Sequence, residues 1–282
     1  MTCTFCTFEI PPSAFRCPHC AQPSLFPNVI LASEEQPELE DHYKNALADA
    51  ASRGVGASVA DFETMSKKSH AVINRSLSEL EQLAGNDFEV YKTYYHLSEG
   101  IRLQKGEEFD SLRQAADGIF FTGYRKEIRF AALSLDSTGL YNYGDCSWIL
   151  RENMITHRAS VFVENTTLYY MKNDIKGSKD IPKGYRAAWG DRAKLCVVKL
   201  ASEIDVSTSF ASYPGIILHQ GATSADDAIV EVHIFGPMTI RTIEEVTFKP
   251  IPTTISKRDR LIRSAKIEGV KEKLSAYGVK VS

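Results

Sequence analysis

The chain has 282 residues, which is room for a small N-terminal unit and one or two larger ones. Its hydrophobic content of 43% and charged content of 24% are typical of a globular protein, and its net charge of −3 argues against binding nucleic acid through a basic surface over the whole molecule. No apolar run approaches the roughly 20 residues that a transmembrane helix needs. With no export signal in view, we expect a cytoplasmic protein with reduced thiols.

Four of the six cysteines form two C-x-x-C pairs near the start of the chain, separated by ten residues. They are Cys3, Cys6, Cys17 and Cys20. Two such pairs complete a tetrahedral shell of four thiolates, so we predict a zinc ribbon over residues 1–26. Four sulfurs leave no position for water or substrate, so this zinc should be structural and His19 should not be a ligand. The scattered Cys146 and Cys196 argue against disulfides and are expected in the core.

Residues 27–115 are predicted to be a linker and a helical region. Apolar residues recur at three- and four-residue steps between Pro37 and Gln104, after an acidic start that follows Ser33. We interpret the segment from Val59 to Leu83 and the segment FEVYKTYYHLSEGIRL as helices separated by a break at residues 85–87. Their aromatic and apolar faces are expected to pack in a core.

Near residue 126 the periodicity changes to that of strands. Seven short segments rich in Val, Ile, Phe and Trp are separated by turn sequences such as Asp136–Gly139. They are EIRFAALSL, CSWIL, ASVFVE, KLCVVKL, GIILH, DAIVEVHIF and EEVTFKP. A basic C-terminal helix is predicted over residues 256–282, ending near Gly278. Strands that follow a helical first half indicate an α+β fold rather than alternating β-α-β units.

The segment DAIVEVHIFGP contains the most suggestive pair of polar residues. Alternate side chains of a strand share one face, so Glu231 and His233 should project side by side. The pair could belong to a solvated strand face, to an ion pair with a nearby Lys or Arg, or to a catalytic site. Signatures of other catalytic families are absent from the sequence: G-x-S-x-G, G-x-x-x-x-G-K, H-E-x-x-H and G-x-G-x-x-G.

Four motifs occur in order in the second half of the chain. A hydroxyl-rich turn with G-L-x-x-Y-G is followed by R-A-S-V-F, then by V-E-V-H-I-x-G-P, then by I-E-E-V-x-F. Together they resemble the catalytic half of bacterial ADP-ribosyltransferase toxins, including those of toxin–antitoxin and phage-defence loci. The resemblance implies a β-rich, split-sheet catalytic domain over residues 116–255, in which two small curved sheets enclose an NAD-binding cleft.

The resemblance also implies roles for particular residues. Glu231 matches the catalytic glutamate, which stabilises the positive charge that develops on the ribose as nicotinamide leaves. Arg129 is the best match for the arginine that holds the dinucleotide phosphates, with Arg125 as a rival. The resemblance implies further contacts to NAD from the hydroxyl turn, from a tyrosine that would stack on nicotinamide, and from the polar neighbour of Glu231. These are Ser137, Thr138, Tyr143 and His233.

Two departures from the family pattern bear on the acceptor. Ile229 stands where many enzymes with protein targets have Glu or Gln, and the hydroxyl turn is S-T-G rather than S-T-S. Both weaken assignment to the arginine-modifying subgroup and leave a nucleic-acid acceptor or another protein acceptor open. Arg158 could contact NAD, or pair with Glu152 or Glu164. A cognate antitoxin or inhibitor is a further expected partner.

A non-enzymatic adaptor is the alternative hypothesis. In it the ribbon binds nucleic acid or a protein, and the β-rich domain docks a partner. The aromatic residues of the ribbon are interleaved with Arg16 and could contact bases, or they could form the ribbon's own small core. These aromatic residues are Phe5, Phe8 and Phe15.

Overall fold

The computed structural model of the chain describes residues 3, 6–10, 16–21, 26–93, 95, 107–223 and 225–282. Within these residues, eight strands are joined into one sheet. They are β1 (His70–Arg75), β2 (Ile128–Ser134), β3 (Cys146–Leu150), β4 (Ala159–Phe162), β5 (Arg186–Ala188), β6 (Glu231–Phe235), β7 (Ile243–Phe248) and β8 (Lys280–Val281).

The order of strands across the sheet is β5-β4-β6-β2-β1-β3-β7-β8. All neighbouring pairs are antiparallel except β7 and β8, which are parallel. Strand β6 therefore lies between β4 and β2, and β1 lies between β2 and β3. The described strands form one continuous sheet, whereas the family resemblance implied two small ones.

Ten α-helices accompany this sheet among the described residues. They are α1 (Pro27–Glu34), α2 (Gln36–Ser52), α3 (Gly56–Ser66), α4 (Leu77–Leu83), α5 (Glu107–Phe120), α6 (Glu152–Ile155), α7 (Thr166–Lys172), α8 (Arg192–Leu200), α9 (Tyr213–Ile217) and α10 (Lys257–Ala276). The predicted α+β class is confirmed. None of these helices, in the part of the chain that is described, has both the length and the hydrophobicity to cross a bilayer.

Local chemistry explains where several helices begin. Proline at the first position of α1 has no N–H to leave unpaired. Ser76 and Glu79 form a reciprocal capping box at the start of α4. Asn165 caps α7 by accepting hydrogen bonds from two backbone N–H groups, and Ser256 caps the predicted basic helix α10 by accepting from the Asp259 N–H.

Three sequence-based element predictions are wrong. The segment His70–Arg75, expected to be helical, forms the buried central strand β1. The segment KLCVVKL, expected to be a strand, belongs to helix α8. The segment GIILH, also expected to be a strand, begins in helix α9 and ends at His219, which forms only an isolated β-bridge with Ala228. Short apolar runs fit either structure, and tertiary packing decides between them. Part of the helix predicted over FEVYKTYYHLSEGIRL lies outside the described residues, but its described start, 88–93, is irregular.

Helices α1 and α5 contact the face of the sheet that carries Glu231 and His233. From α1, the side-chain amide of Asn28 donates to the backbone oxygens of Arg158 and His233, at 3.1 and 3.0 Å. At the end of α5, the ring of Phe120 packs edge-on against Phe162 of β4, with centroids 5.2 Å apart. These two helices therefore frame the sheet face on which the candidate site lies.

Candidate functional site

The described cysteines of the N-terminal segment form a compact cluster. Their four sulfur atoms all lie within 4.8 Å of one another. The Cys3 and Cys20 sulfurs are 3.6 Å apart, and the Cys6 and Cys17 sulfurs are 3.5 Å apart. A tetrahedral zinc with Zn–S bonds of about 2.3 Å requires sulfurs about 3.8 Å apart. The four thiols could thus hold a metal ion such as zinc.

His19 does not belong to this cluster. Its ring stacks on Phe8, with centroids 5.4 Å apart and planes 12° apart, and it is exposed to solvent. Phe5 and Phe15 lie outside the described residues, so the two predicted roles of the ribbon aromatics can be followed only at Phe8. That side chain is 45% exposed. Phe8 and His19 therefore form an exposed pair of stacked rings in the N-terminal segment.

A second candidate site, which we name the Glu231 pocket, opens where β6, β2 and β1 lie side by side. It is lined by Asn74, Arg113, Phe130, Ala132, Tyr143, Asn165, Ile229 and Glu231, among other residues. Its volume is about 70 Å³. That is room for about five water-sized groups, so the pocket can take one ring and not a whole dinucleotide.

Glu231 is fixed at this pocket by four hydrogen bonds. One carboxylate oxygen accepts from the Asn165 side-chain amide at 3.1 Å. The other accepts from the backbone N–H and the hydroxyl of Thr166, both at 3.0 Å, and contacts His233 Nε2 at 3.0 Å. The residue is only 3% exposed. Its carboxylate therefore has a set position and orientation.

His233 supports Glu231 from within the core. It is fully buried, and the rings of Phe121, Phe130 and Phe162 surround it at centroid distances of 4.7, 5.6 and 6.3 Å. Burial lowers the pKa of His233 although Glu231 opposes that shift. The ring is then neutral and donates from Nε2 to Glu231, while Nδ1 has no partner among the described residues. The predicted side-by-side projection of Glu231 and His233 is confirmed.

Arg113 of α5 supplies the positive charge at this pocket. Its guanidinium lies over the ring of Phe130, 4.6 Å from the centroid. Burial disfavours the charge, but the carboxylates of Asp117 and Glu231 outweigh burial and raise the pKa of Arg113 above its usual value. Its Nε has no hydrogen-bond partner among the described residues. A donor-rich cation therefore faces the same space as the Glu231 carboxylate.

Asp117 lies behind Arg113, one helical turn further along α5. One of its oxygens accepts a hydrogen bond of 2.7 Å from the Tyr95 hydroxyl and lies 3.6 Å from Arg113 Nε. Complete burial raises the pKa of Asp117 to about 6, while Arg113 and Tyr95 act in the opposite direction. Asp117 therefore holds Arg113 from behind, and its carboxyl binds a proton more tightly than that of an exposed aspartate.

Arg129 does not share the pocket with Glu231. In the register of β2 and β6, Phe130 is opposite His233 and Arg129 is opposite Ile234. Because alternate side chains point to opposite faces, Arg129 lies on the face away from Glu231. It donates to the Glu127 backbone oxygen at 2.7 Å, and burial lowers its pKa. The expectation that Arg129 and Glu231 face one cleft is wrong.

The other predicted contacts lie at different distances from the pocket. Tyr143 lines it with a ring that is 39% exposed. Ser137 and Thr138 are not lining residues; they form the neighbouring turn, in which Asp136 accepts from the Thr138 N–H and hydroxyl. Ser137 adopts the left-handed backbone conformation, with φ of 64°. The rival Arg125 stacks on Tyr95 instead.

The turn at residues 136–139 is tied to the pocket through β1. The Asn74 side chain donates to the Thr138 backbone oxygen at 3.1 Å and accepts from the Leu140 N–H at 2.6 Å. Gly139 has φ of 63°, and a Cβ there would lie 2.1 Å from the Asn74 oxygen. Glycine is therefore required for this close approach, and the predicted hydroxyl turn serves to position the pocket wall.

Arg158 is occupied by the backbone. Its guanidinium donates to the backbone oxygens of Phe235 and Pro237, at 2.7 and 2.8 Å. The predicted ion pair with Glu152 or Glu164 is not formed; Glu152 pairs with Arg192, and Glu164 pairs with Lys172. The arginine of R-A-S-V-F thus fixes the end of β6.

Sequence reasoning missed Arg113 and Asn165, which line the Glu231 pocket, and Thr166, which donates two hydrogen bonds to Glu231. A signal for Arg113 exists in the four-residue spacing from Arg113 to Asp117, which places both side chains on one side of a helix. Asn165 and Thr166 form a helix N-cap directly after β4, a recognisable pattern whose proximity to Glu231 depends on the sheet order. No protein-family model matches this chain, and no curated protein matches its sequence.

Proposed function

We propose that this protein is an NAD-dependent mono-ADP-ribosyltransferase of the bacterial toxin type. The observation that carries the proposal is the Glu231 carboxylate, which is anchored by four donors at the floor of a ring-sized pocket. A carboxylate held in this manner is suited to a reaction in which positive charge develops beside it, because its orientation needs no change during the reaction.

In the proposed reaction, the bond between nicotinamide and ribose breaks and ADP-ribose passes to a nucleophile on the acceptor. Glu231 orients a ribose hydroxyl and stabilises the oxocarbenium-like ribose. Tyr143, whose ring is partly exposed at the pocket, stacks on nicotinamide. Burial, with Asp227 and Glu231, raises the pKa of Tyr143, so its phenol stays neutral in this role.

We assign the phosphate-binding role to Arg113 rather than to Arg129. Arg113 lines the pocket that contains Glu231, whereas Arg129 lies on the opposite face of the sheet. A guanidinium binds phosphate oxygens through several N–H groups at once. The small volume of the pocket requires the diphosphate to lie at its open side.

The acceptor in this proposal is a nucleic acid or a protein side chain other than arginine. Ile229 lines the pocket and is 4% exposed, so an apolar side chain occupies the position where arginine-modifying enzymes resembling this one have Glu or Gln. The cysteine cluster, with Phe8 and His19 beside it, would recruit the acceptor or a cognate inhibitor.

The direct test is to incubate the protein with NAD and measure released nicotinamide, with and without added nucleic acid or cell lysate. Glu231→Gln removes the negative charge and should lower the rate by about 10²–10³. The side-chain NH₂ of the new glutamine would face the Asn165 amide or the Thr166 N–H, each of which is itself a donor, so the variant also loses some folding stability. Glu231→Asp therefore serves as a second variant, because it keeps the charge but withdraws it from the pocket.

Glu245→Gln is the matched control, since it makes the same change on strand β7 away from the pocket. It should leave the rate unchanged. Parental rates in folded Glu231→Gln and Glu231→Asp would refute the role of Glu231. If the parent releases no nicotinamide with any acceptor supplied, the adaptor hypothesis replaces the enzymatic one.

A further inference from the structure

A second and larger cavity, which we name the Arg186 cleft, lies between α1, the end of α5 and the segment 178–186. Its volume is about 890 Å³, within the range of sites that hold small molecules. Its apolar wall is formed by Pro27, Ile30, Leu31, Ile119 and Ile181 with the rings of Phe120 and Phe235, and charged side chains line the remainder. An apolar wall in a cleft of this size favours a ligand with a hydrocarbon body.

One end of the Arg186 cleft is polar and rich in hydrogen-bond donors. Arg186 is only 3% exposed, yet its Nε has no partner within the described part of the chain. The buried hydroxyl of Tyr124 also lacks a partner among the described residues. Both residues line the cleft. Buried donors without acceptors are rare in folded proteins and cost free energy unless a ligand or water satisfies them.

Glu35 supplies one acceptor near these donors. Its Oε1 is 3.6 Å from Arg186 Nη1, which is beyond hydrogen-bond distance, and its Oε2 accepts from the Gly184 N–H at 3.2 Å. Glu35 therefore offsets the charge of Arg186 without satisfying its N–H groups. Burial raises the pKa of Glu35 although Arg186 opposes that shift, so Glu35 takes up a proton more readily than an exposed glutamate.

We propose that the Arg186 cleft binds an amphipathic carboxylate, such as a medium-chain fatty acid, with its head group at Arg186 and Tyr124 and its chain along the aliphatic walls. A planar carboxylate accepts two N–H groups of a guanidinium at once and can also accept a hydroxyl. The exposed part of the cleft carries Lys179 and Lys183 together with Glu34 and Glu127, so these charges balance and Arg186 supplies the attraction for a carboxylate.

This site is separate from the Glu231 pocket, although both lie on one face of the sheet. Arg186 is paired with Phe162 in the β4–β5 register, and Phe162 is paired with Glu231 in the β4–β6 register. The ring of Phe162 therefore lies between the two polar groups, and Phe120 packs against it. The proposal does not depend on ADP-ribosyltransferase activity.

The test uses the full chain and measures binding of decanoate by calorimetry, with decanol as the uncharged probe of equal length. Decanoate should bind, and decanol should bind at least about tenfold more weakly because its hydroxyl has neither the negative charge nor the second oxygen that a carboxylate offers to the guanidinium. Arg186→Gln should weaken decanoate binding by at least about tenfold, and Tyr124→Phe by about fivefold.

Glu35→Gln gives the most discriminating result because it should strengthen decanoate binding, whereas the other two substitutions should weaken it. It removes the negative charge beside the head group and keeps an oxygen for the Gly184 N–H, so it should tighten decanoate binding. Tyr185→Phe is the matched control for Tyr124→Phe, since Tyr185 stacks on His42 and does not line the cleft. It should leave binding unchanged.

Folding of each variant is checked by thermal unfolding, and Tyr124→Phe keeps the test decisive if Arg186→Gln does not fold. Equal binding of decanoate and decanol, or decanoate binding that is the same in the parent, Glu35→Gln and Tyr124→Phe, would overturn the proposal. Weaker binding in Glu35→Gln would also overturn it, because that result would indicate a ligand head group that donates to Glu35.

Discussion

The cysteine cluster draws its four thiolates from eighteen consecutive residues, whereas the Glu231 pocket draws its side chains from six segments between residues 72 and 231. The cluster has a small core of its own around Ile10, separate from the main core. The apolar lining of the pocket lies partly in the large core that the sheet shares with its helices and partly in a small cluster of its own, to which Ala132, Leu140 and Ile229 belong. The cluster should therefore depend on its metal, and the pocket on the integrity of the whole sheet.

The largest expected effect follows from removing the chain before Phe109. Such a chain lacks β1, which pairs with both β2 and β3 at the centre of the sheet. We expect it to be unfolded or insoluble, as measured by circular dichroism and gel filtration. A chain that begins at Ala21 lacks only the cysteine cluster and is the control, which should fold. A soluble, ordered chain from Phe109 would show that the pocket does not need the central strand.

Replacing Cys17 and Cys20 with Ser should change the cluster alone. The parent should contain about one zinc per chain by elemental analysis, and the double variant should contain none, because two thiolates cannot complete the shell. Near-ultraviolet circular dichroism of the remaining chain should stay the same. Replacing Cys146 and Cys196, which are buried outside the cluster, should not release metal. Zinc retained by the Cys17/Cys20 variant would contradict the assignment of these ligands.

A pair of arginine substitutions distinguishes the two faces of the sheet. Arg113→Gln should raise the KM for NAD by about 10- to 100-fold, because a charged hydrogen bond contributes about 1.5–3 kcal/mol. Arg129→Gln should lower stability with little effect on KM, since Arg129 lies on the opposite face. Steady-state kinetics and thermal unfolding of both variants measure the difference. A raised KM in Arg129→Gln with an unchanged KM in Arg113→Gln would instead assign phosphate binding to Arg129.

The smallest expected effect is the pH dependence of stability due to Asp117. Its pKa is about 6 in the folded protein and near 3.9 when unfolded. Between these values the folded state holds the proton more tightly, so the free energy of unfolding falls as the pH rises from about 4 to about 6, by at most about 3 kcal/mol. Asp117→Asn removes this dependence.

Urea unfolding of the parent and of Asp117→Asn at pH 4.5 and pH 7 checks the sign. On going from pH 4.5 to pH 7, the parent should lose more folding stability than Asp117→Asn. Asp174→Asn, at an exposed carboxylate, serves as the control and should follow the parent. If the parent instead gains stability relative to Asp117→Asn between pH 4.5 and pH 7, the pKa of Asp117 is not raised in the folded protein.

The cysteine spacing and the alternation around Glu231 could be predicted from sequence because each is local. Two C-x-x-C pairs and a period of two need no knowledge of the rest of the fold. The strand β1 was missed because its apolar residues continue a helical pattern from α3, and its identity as a strand depends on partners about 60 and 75 residues away.

The cation of the pocket could not be predicted in the same way. Arg113 and Arg129 are both near apolar residues in sequence, and the choice between them depends on the register of β2 against β6 and on the position of α5 above that face. A one-residue change of register would exchange the two faces. Motif resemblance alone therefore favoured Arg129, which lies on a strand, over an arginine on a helix.

Asn165 has two roles, and together they link the candidate catalytic carboxylate to a short helix. Its side-chain oxygen caps α7, while its side-chain nitrogen donates to Glu231, and the next residue, Thr166, supplies two further donors. Fraying of the first turn of α7 would remove three of the four donors and leave Glu231 with His233 alone. Helix α7 has only seven residues and carries the exposed Met171, so it is a segment of low intrinsic stability. Any molecule that binds or loosens α7 would consequently act on Glu231 without entering the pocket.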